Sequence, residues 1–511
     1  MLEVSAKQFG ETVARTLTLT LLIKEPVMDH ATTAELGQQL ADTQAALNIV
    51  FTMLAGFLIM FMQAGFALLE TGLVRGKNAA HTMGMNFLVY AIAILGYWTL
   101  GFGWQMGNVG PLATFGGDAS LSSGISVSLF GKEHGLLGTS GFMLPPSIFT
   151  PAVATMFFFQ LVFAATACTI VTGALTERWK FMSFIAFSFA VATVIYPLYA
   201  NWVWGGGFLA TLGKNFGLGH GHVDFAGSSV VHMTGGTLAL LCAKLLGPRQ
   251  GKYGPGGEVN AIPAHNIPMV VTGTFILAFG WFGFNPGSTL AGTDTRFAIV
   301  AVNTMLSSAS GAFAGALYSR YKFGKPDVTL MCNGMLAGLA AITGPCAFVS
   351  SAVSLLIGAV AGVLVIEAAI FIERRLRIDD PVGASSVHCV NGIWGMVALG
   401  LFADGTYGAG LNGVQGNVTG LFYGDGGQLL AQLIGIGVNL LFVGGAGVLA
   451  FTLIGKLVGN RVSLEDELGG LDVAELGMEG YTIEAGRFQD DDQATPVREH
   501  PVSRLPAGVT S

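Results

Sequence analysis

The chain has 511 residues, of which 52% are hydrophobic and only 11% charged, where a soluble domain carries about a quarter. With a mean hydropathy of +0.62, this composition excludes an ordinary soluble enzyme and points to a polytopic membrane protein. The net charge of −7 and the lack of a basic stripe argue against a nucleic-acid partner.

In chain order, residues 1–47 read as a separate N-terminal segment. Its apolar run "LTLTLLI" (17–23) is too short to span a bilayer, and mixed charges precede it, which makes a poor signal peptide; Met28 is an alternative start. Stretches free of Asp, Glu, Lys and Arg then follow at 43–69, 78–117, 134–176, 181–213, 225–243, 266–293, 297–319, 328–366, 381–403 and 426–455. A spanning helix needs about 20 apolar residues. The stretch 328–366 holds two, broken at Thr343-Gly344-Pro345, and each of the others holds one. The expected fold is therefore an all-α polytopic membrane protein of eleven transmembrane helices, filling 48–458. A regulatory tail (459–485) and a disordered end (486–511, with Asp490-Asp491-Asp492) complete the chain.

Lys and Arg in alternate loops number fifteen (among them Arg75, Arg178, Arg249 and Arg461) against six. The positive-inside rule puts the N-terminus outside and the C-terminus in the cytoplasm. Glycine, at 74 residues, is about twice its usual share and lets helices approach closely. The five cysteines are all in apolar segments, with no C-x-x-C, which disfavours a disulfide framework or zinc site.

One pattern occurs twice. D-x-x-G-x-S-x-V-H-x-x-x-G runs from Asp224 to Gly236 and again from Asp380 to Gly392. The copies fall on helices 5 and 10, which divides the chain into two five-helix repeats (about 48–247 and 266–403) plus helix 11 (about 428–456). An odd repeat unit inverts the second half, and inverted repeats place their site near the midplane at the repeat interface. Two-fold symmetry then brings His232 and His388 face to face. Asp380-Pro381 is a strong helix start, with Asp at the N-cap and Pro at N1. About 12 Å of helix from each Asp to its His puts the rings at mid-membrane, where an ionisable group is a functional hypothesis by default. A satisfied core histidine is the bland alternative, weakened by the repetition. A proton or amine relay, a bis-histidine haem and a metal site remain open, though no third metal ligand lies at suitable spacing.

Several long motifs resemble the ammonium transporter family: "FMQAGFALLETGLVRGKNA" in helix 1, "FQLVFAATACTIVTGALTER" (159–178), "NWVWGGGFLA" (201–210), "GWFGFNPGS" (280–288) and both histidine motifs. The resemblance runs from about 48 to 484. Trp204 resembles the ammonium transporter branch rather than the Rhesus-type branch, which lacks that residue. The resemblance implies ammonium and methylammonium as substrates, a homotrimer with one pore per subunit, a plasma or inner membrane location, no cofactor and no enzymatic role. It assigns Trp204, Phe163, Ser288 and Asp224 to an outer recruitment site, Phe163 and Phe284 to a gate, and His232 and His388 to the pore. By the same likeness the tail (Arg461, Glu465, Asp472, Glu475) is a docking segment for a PII-type signalling protein, although Leu476 and Met478 break the usual tail pattern. Cys389 stands where glycine is common and is expected to narrow the pore beside the second ring. Asp380 is expected to be a helix cap and Asp224 the recruiting carboxylate. Rival readings are a non-conducting ammonium sensor, against which the lack of a signalling domain after residue 511 counts, a bis-histidine redox protein, and a pore for another small neutral molecule.

Overall fold

A computed structural model describes residues 32–117, 121–411 and 414–481. The expectations for residues 1–31 and for the stretch 486–511 fall outside these. Helix follows helix along the chain: α1 (Thr33–Leu73), α2 (Ala79–Gly96, continued by a π turn to Met106), α3 (Pro151–Leu175), α4 (Phe181–Trp204), α5 (Ser228–Leu246), α6 (Ile267–Phe284), α7 (Phe297–Phe323), α8 (Val328–Ile342), α9 (Ser351–Arg374), α10 (Ser385–Phe402) and α11 (Gly426–Val458). Ten are long and apolar enough to cross a membrane. α8, with 15 residues, is shorter. The expected break after it is present: the chain turns through 343–349 before α9.

The starts of these helices follow from local chemistry. Side chains of Thr150, Asn266, Asp327, Ser350 and Asp425 accept from the first-turn N–H groups of α3, α6, α8, α9 and α11, bonds worth about 1 kcal/mol each. α1 departs from expectation. It begins at Thr33 and runs for 41 residues, about 60 Å at 1.5 Å per residue and twice a hydrocarbon core. The cause is a capping box: Thr32 and Glu35 satisfy each other's backbone N–H groups. The boundary placed at residue 48 therefore falls inside a continuous helix. A hairpin of β1 (Gly124–Leu129) and β2 (Lys132–Gly138) occupies the loop after α2, where only loop was expected.

The two copies of the repeated motif run antiparallel. The start of α10 meets the chain just beyond α5: Asp379 accepts from the Arg249 backbone and guanidinium at 2.8–2.9 Å. The helices cross at the last residue of each motif. A β-carbon on Gly236 would lie 2.2 Å from the Cys389 nitrogen, and one on Gly392 would lie 2.6 Å from the Ser228 carbonyl oxygen. Only glycine allows backbones this close.

The helix ends near Arg75, Arg178 and Arg249 share one face of the bundle. There Glu177 accepts from Arg249 at 2.7 Å, from Asn78 at 3.0 Å and from Arg75. Arg178 donates to the Asp379 carbonyl at 2.7 Å. Burial alone would raise the Asp379 carboxyl, but Arg178 and the Arg249 fork outweigh it and hold it well below the usual carboxylate range. This network ties the ends of α1, α3 and α5 to the start of α10. The tail closes the same face. Arg461 pairs with buried Glu467 at 2.8 Å. Asp472 accepts from the Ala80 and His81 N–H groups at the start of α2 at 3.0 and 2.8 Å. Glu475 accepts from the Phe181 N–H at the start of α4 at 2.9 Å. Glu465 is exposed.

Candidate functional site

The motif builds a cap before it builds a histidine. Asp224 Oδ1 accepts from the N–H groups of Gly227 and Ser228, each at 2.9 Å, and Oδ2 from those of Ser229 and Val230 at 2.7 and 2.9 Å. The Ser229 hydroxyl donates to Oδ2 at 2.8 Å. Asp380 does the same at matching offsets, to Gly383, Ala384 and Ser385 at 3.0, 3.1 and 2.6 Å. The turn needs a left-handed residue third after the Asp, which is why glycine stands there: φ is +117° at Gly227 and +78° at Gly383. Two expectations change. Pro381 is not at N1 of α10, because the carboxylate caps a turn that starts the helix near Ala384. Asp224 is as much a cap as Asp380, and accepts one further N–H and the Ser229 hydroxyl.

Both histidines are in π-helical turns, Ser228–Met233 and Ser385–Val390, and not in the plain α-helix assumed for the distance estimate. Such bulges recur at functional sites. The two rings stack with centroids 5.2 Å apart and planes 23° apart. Their Nδ1 atoms are 3.2 Å apart, so one imidazole donates and the other accepts. Axial ligands about 2 Å from a central metal would stand about 4 Å apart, which leaves no room here for a haem between them.

Aromatic rings continue from this pair in a column. Phe284 lies 5.7 Å from His232, Phe163 4.3 Å from Phe284, and Trp204 5.7 Å from Phe163, edge-on at 88°. On the other side Phe66 is 6.3 Å from His388. Phe163, Phe284 and His232 are essentially buried. Trp204 Nε1 donates to the Asp224 carbonyl at 2.7 Å. Trp204 and Asp224 share the wall of a cavity of about 550 Å³ with His220 and His222. Ser288 is not in that wall. It sits in the 3₁₀ turn after α6 and donates to the Phe284 carbonyl at 2.7 Å, which leaves its lone pairs to accept. Cys389 does not narrow the column as expected. Its sulfur turns toward the Thr237 hydroxyl, 3.6 Å away.

Sequence reasoning missed several residues. Trp281 stacks on His232 at 5.0 Å and is held by a 2.8 Å bond to Thr343; it stands in the quoted "GWFGFN". His222 bonds Ser229 at 2.9 Å. Glu70 ends the first charge-free stretch and stands in the quoted "FMQAGFALLETGLVRGKNA".

An inverted pair of motif helices crossing at mid-bundle beside a column of rings is the build of a membrane transport protein. The chain belongs to the Ammonium Transporter Family, whose model matches residues 50–481. It is 43% identical over 438 residues to ammonium transporter Amt2 of Archaeoglobus fulgidus, covering 85% of this chain and 88% of that protein. Ammonium transporter Amt1 of Methanocaldococcus jannaschii is 34% identical, over 86% and 98% of the two chains. Among solved structures, one described as a sensor Amt protein is similar with a TM-score of 0.73 at 34% identity, over 85% and 99%. Mep2 of Candida albicans is similar at 0.68 and 26%, over 82% and 87%.

Proposed function

We propose that this protein carries ammonium, and methylammonium as its analogue, across the membrane as ammonia along the ring column. The observation that carries the reading is the buried pair His232–His388, hydrogen-bonded to each other at the end of that column. The excess of Lys and Arg on the loop face holding Arg75, Arg178 and Arg249 makes that face cytoplasmic, so the N-terminus is outside and the cavity at Trp204 faces the external medium. All eleven helices, α8 included, cross the membrane in this reading.

A cation entering the outer cavity meets the indole of Trp204 and the Phe163 ring, worth about 0.5–2 kcal/mol for each face. The Asp224 carboxylate adds attraction, and Ser288, outside the cavity wall, replaces a lost water contact once the cation has moved in past that wall. Phe163 and Phe284, 4.3 Å apart, close the path to a hydrated ion and part only transiently. Beyond them, dehydration is cheap only for a species that can shed its charge. Ammonium can lose a proton and donate hydrogen bonds; potassium can do neither. A histidine pair that shares one proton offers a ring nitrogen to a passing amine and a relay for the proton it leaves behind. The protein acts as a homotrimer, and the face closed by Arg461, Asp472 and Glu475 is where a PII-type protein would dock.

Uptake of labelled methylammonium into proteoliposomes tests the reading. Inhibition by ammonium and not by potassium is expected, and absence of uptake overturns it. A second reading, a sensor that binds ammonium without conducting it, is favoured by the likeness to the structure described as a sensor Amt protein. It predicts saturable ammonium binding with no uptake.

A further inference from the structure

Among the described residues, the buried carboxylates follow a rule with one exception. Glu177 and Asp379 pair with Arg249, Glu467 pairs with Arg461, and Asp224 and Asp472, like the half-buried Asp380, accept from several backbone N–H groups. Glu70 has no ion pair and no helix N-terminus. It lies near the end of α1, 2% exposed; its Oε2 accepts from the Asn86 amide at 2.7 Å and the Thr172 hydroxyl at 2.8 Å, and the Gly173 backbone also faces the carboxylate. A carboxylate is costly in such a place unless it is paired, and an intramembrane acid facing the bundle interior marks a proton path.

Its position supplies the path. Glu70 and His388 line one small cavity with Phe66 and Asn333, on the side of the histidine pair away from Phe284. The cavity holds about 10 Å³, close to the minimum for one water molecule. The turn from Asp380 contributes Val382 and Ala384 to this cavity, and Asp380, Gly383 and Ser386 to a larger one of about 180 Å³.

We propose that Glu70 is the proton acceptor on the cytoplasmic side of the histidine pair. This rests on the transport reading above. Ammonium leaves its proton on the pair and moves on as ammonia. The His388 imidazolium gives its Nε2 proton to the bridging water, which passes one of its own to the Glu70 carboxylate. Imidazole returns to neutral and Glu70 becomes the neutral acid. The acid then releases its proton to water at the cytoplasmic mouth, where ammonia takes up a proton again. One positive charge crosses for each ammonia.

The test uses the full chain in proteoliposomes, with ammonium-evoked current as the readout. Glu70→Gln keeps the Asn86 and Thr172 hydrogen bonds, since both land on Oε2. Its elution profile and melting temperature should match the parent, while current falls at least tenfold. Glu70→Asp should recover a large part of it. Infrared difference spectra of the parent should gain a carboxylic-acid carbonyl band on ammonium addition, missing in Glu70→Gln. That band does not depend on how well the variant folds. Unchanged current in Glu70→Gln, or no such band in the parent, overturns the assignment. Methylammonium uptake by the parent with no current at all overturns it too while leaving the transport reading intact; absence of uptake overturns that reading and the assignment with it.

Discussion

His232 and His388 come from opposite halves of the chain, yet their Nδ1 atoms stand 3.2 Å apart with neither ring exposed by more than a few per cent. A single hydrogen bond forces the two imidazoles into complementary protonation patterns, so a change at one ring alters what the other can offer. His388→Ala should therefore abolish ammonium-evoked current or let potassium compete, with the melting temperature shifted by only a few degrees. Loss of folded protein with transport per molecule unchanged would mark the pair as structural packing. Electrophysiology on proteoliposomes beside a thermal melt separates the two.

Trp204 lines the cavity it shares with Asp224 and ends the ring column. Trp204→Leu removes a cation–π face worth about 0.5–2 kcal/mol, which is roughly a two- to thirty-fold rise in the half-saturating methylammonium concentration. Maximal uptake should fall much less. Equal falls in both, read from uptake against concentration, would place Trp204 outside the recruitment site.

The crossing glycines have a mechanical consequence. Gly236→Ala puts a methyl group 2.2 Å from the Cys389 nitrogen, and backbone cannot give way as a flexible side chain does. A loss of about 1–3 kcal/mol is expected, together with impaired transport, because the shift is carried directly to His388. Gly437→Ala on α11, where an added methyl group meets nothing within 4 Å, should be neutral or gain up to about 1 kcal/mol. Melting temperatures of the two variants in one detergent decide this.

Asp379 gives a pH signature. Its folded carboxyl lies below the unfolded value of about 3.9, so its contribution is fully present above that value and fades as pH falls through the folded one. Asp379→Asn leaves the buried Arg249 short of a partner and should cost about 3–5 kcal/mol near pH 7. The gap in melting temperature between parent and variant should hold from pH 7 down to about pH 4 and narrow only below that. A gap already closing near pH 6 would assign the effect to another group.

Helix positions were legible in the sequence because a bilayer demands long uncharged runs, and the break at Thr343 was legible because Gly and Pro follow it. The pairing of His232 with His388 followed from repetition and an odd helix count. The start of α1 is not legible because the charge-free run begins only after Asp42, whereas Thr32 and Glu35 extend the helix through local hydrogen bonds. The direction of Cys389 and the clamp of Glu177, Arg249 and Asp379 depend on which loops meet, and no spacing along one chain encodes that. Glu70 was passed over for the opposite reason, since a single acid at the end of an apolar run looks like a helix boundary.

The twin caps also set the electric field along the pore. α5 and α10 point in opposite directions, and each would present its positive end, about half an elementary charge, at a different mouth. Uncapped, both entrances would repel a monovalent cation from either side. Asp224 and Asp380 each place a carboxylate at that end, and a full negative charge there would turn the local balance from roughly +½ to −½. Under the transport reading, the duplicated aspartate would make both doorways cation-attracting and leave the interior between them to the neutral molecule.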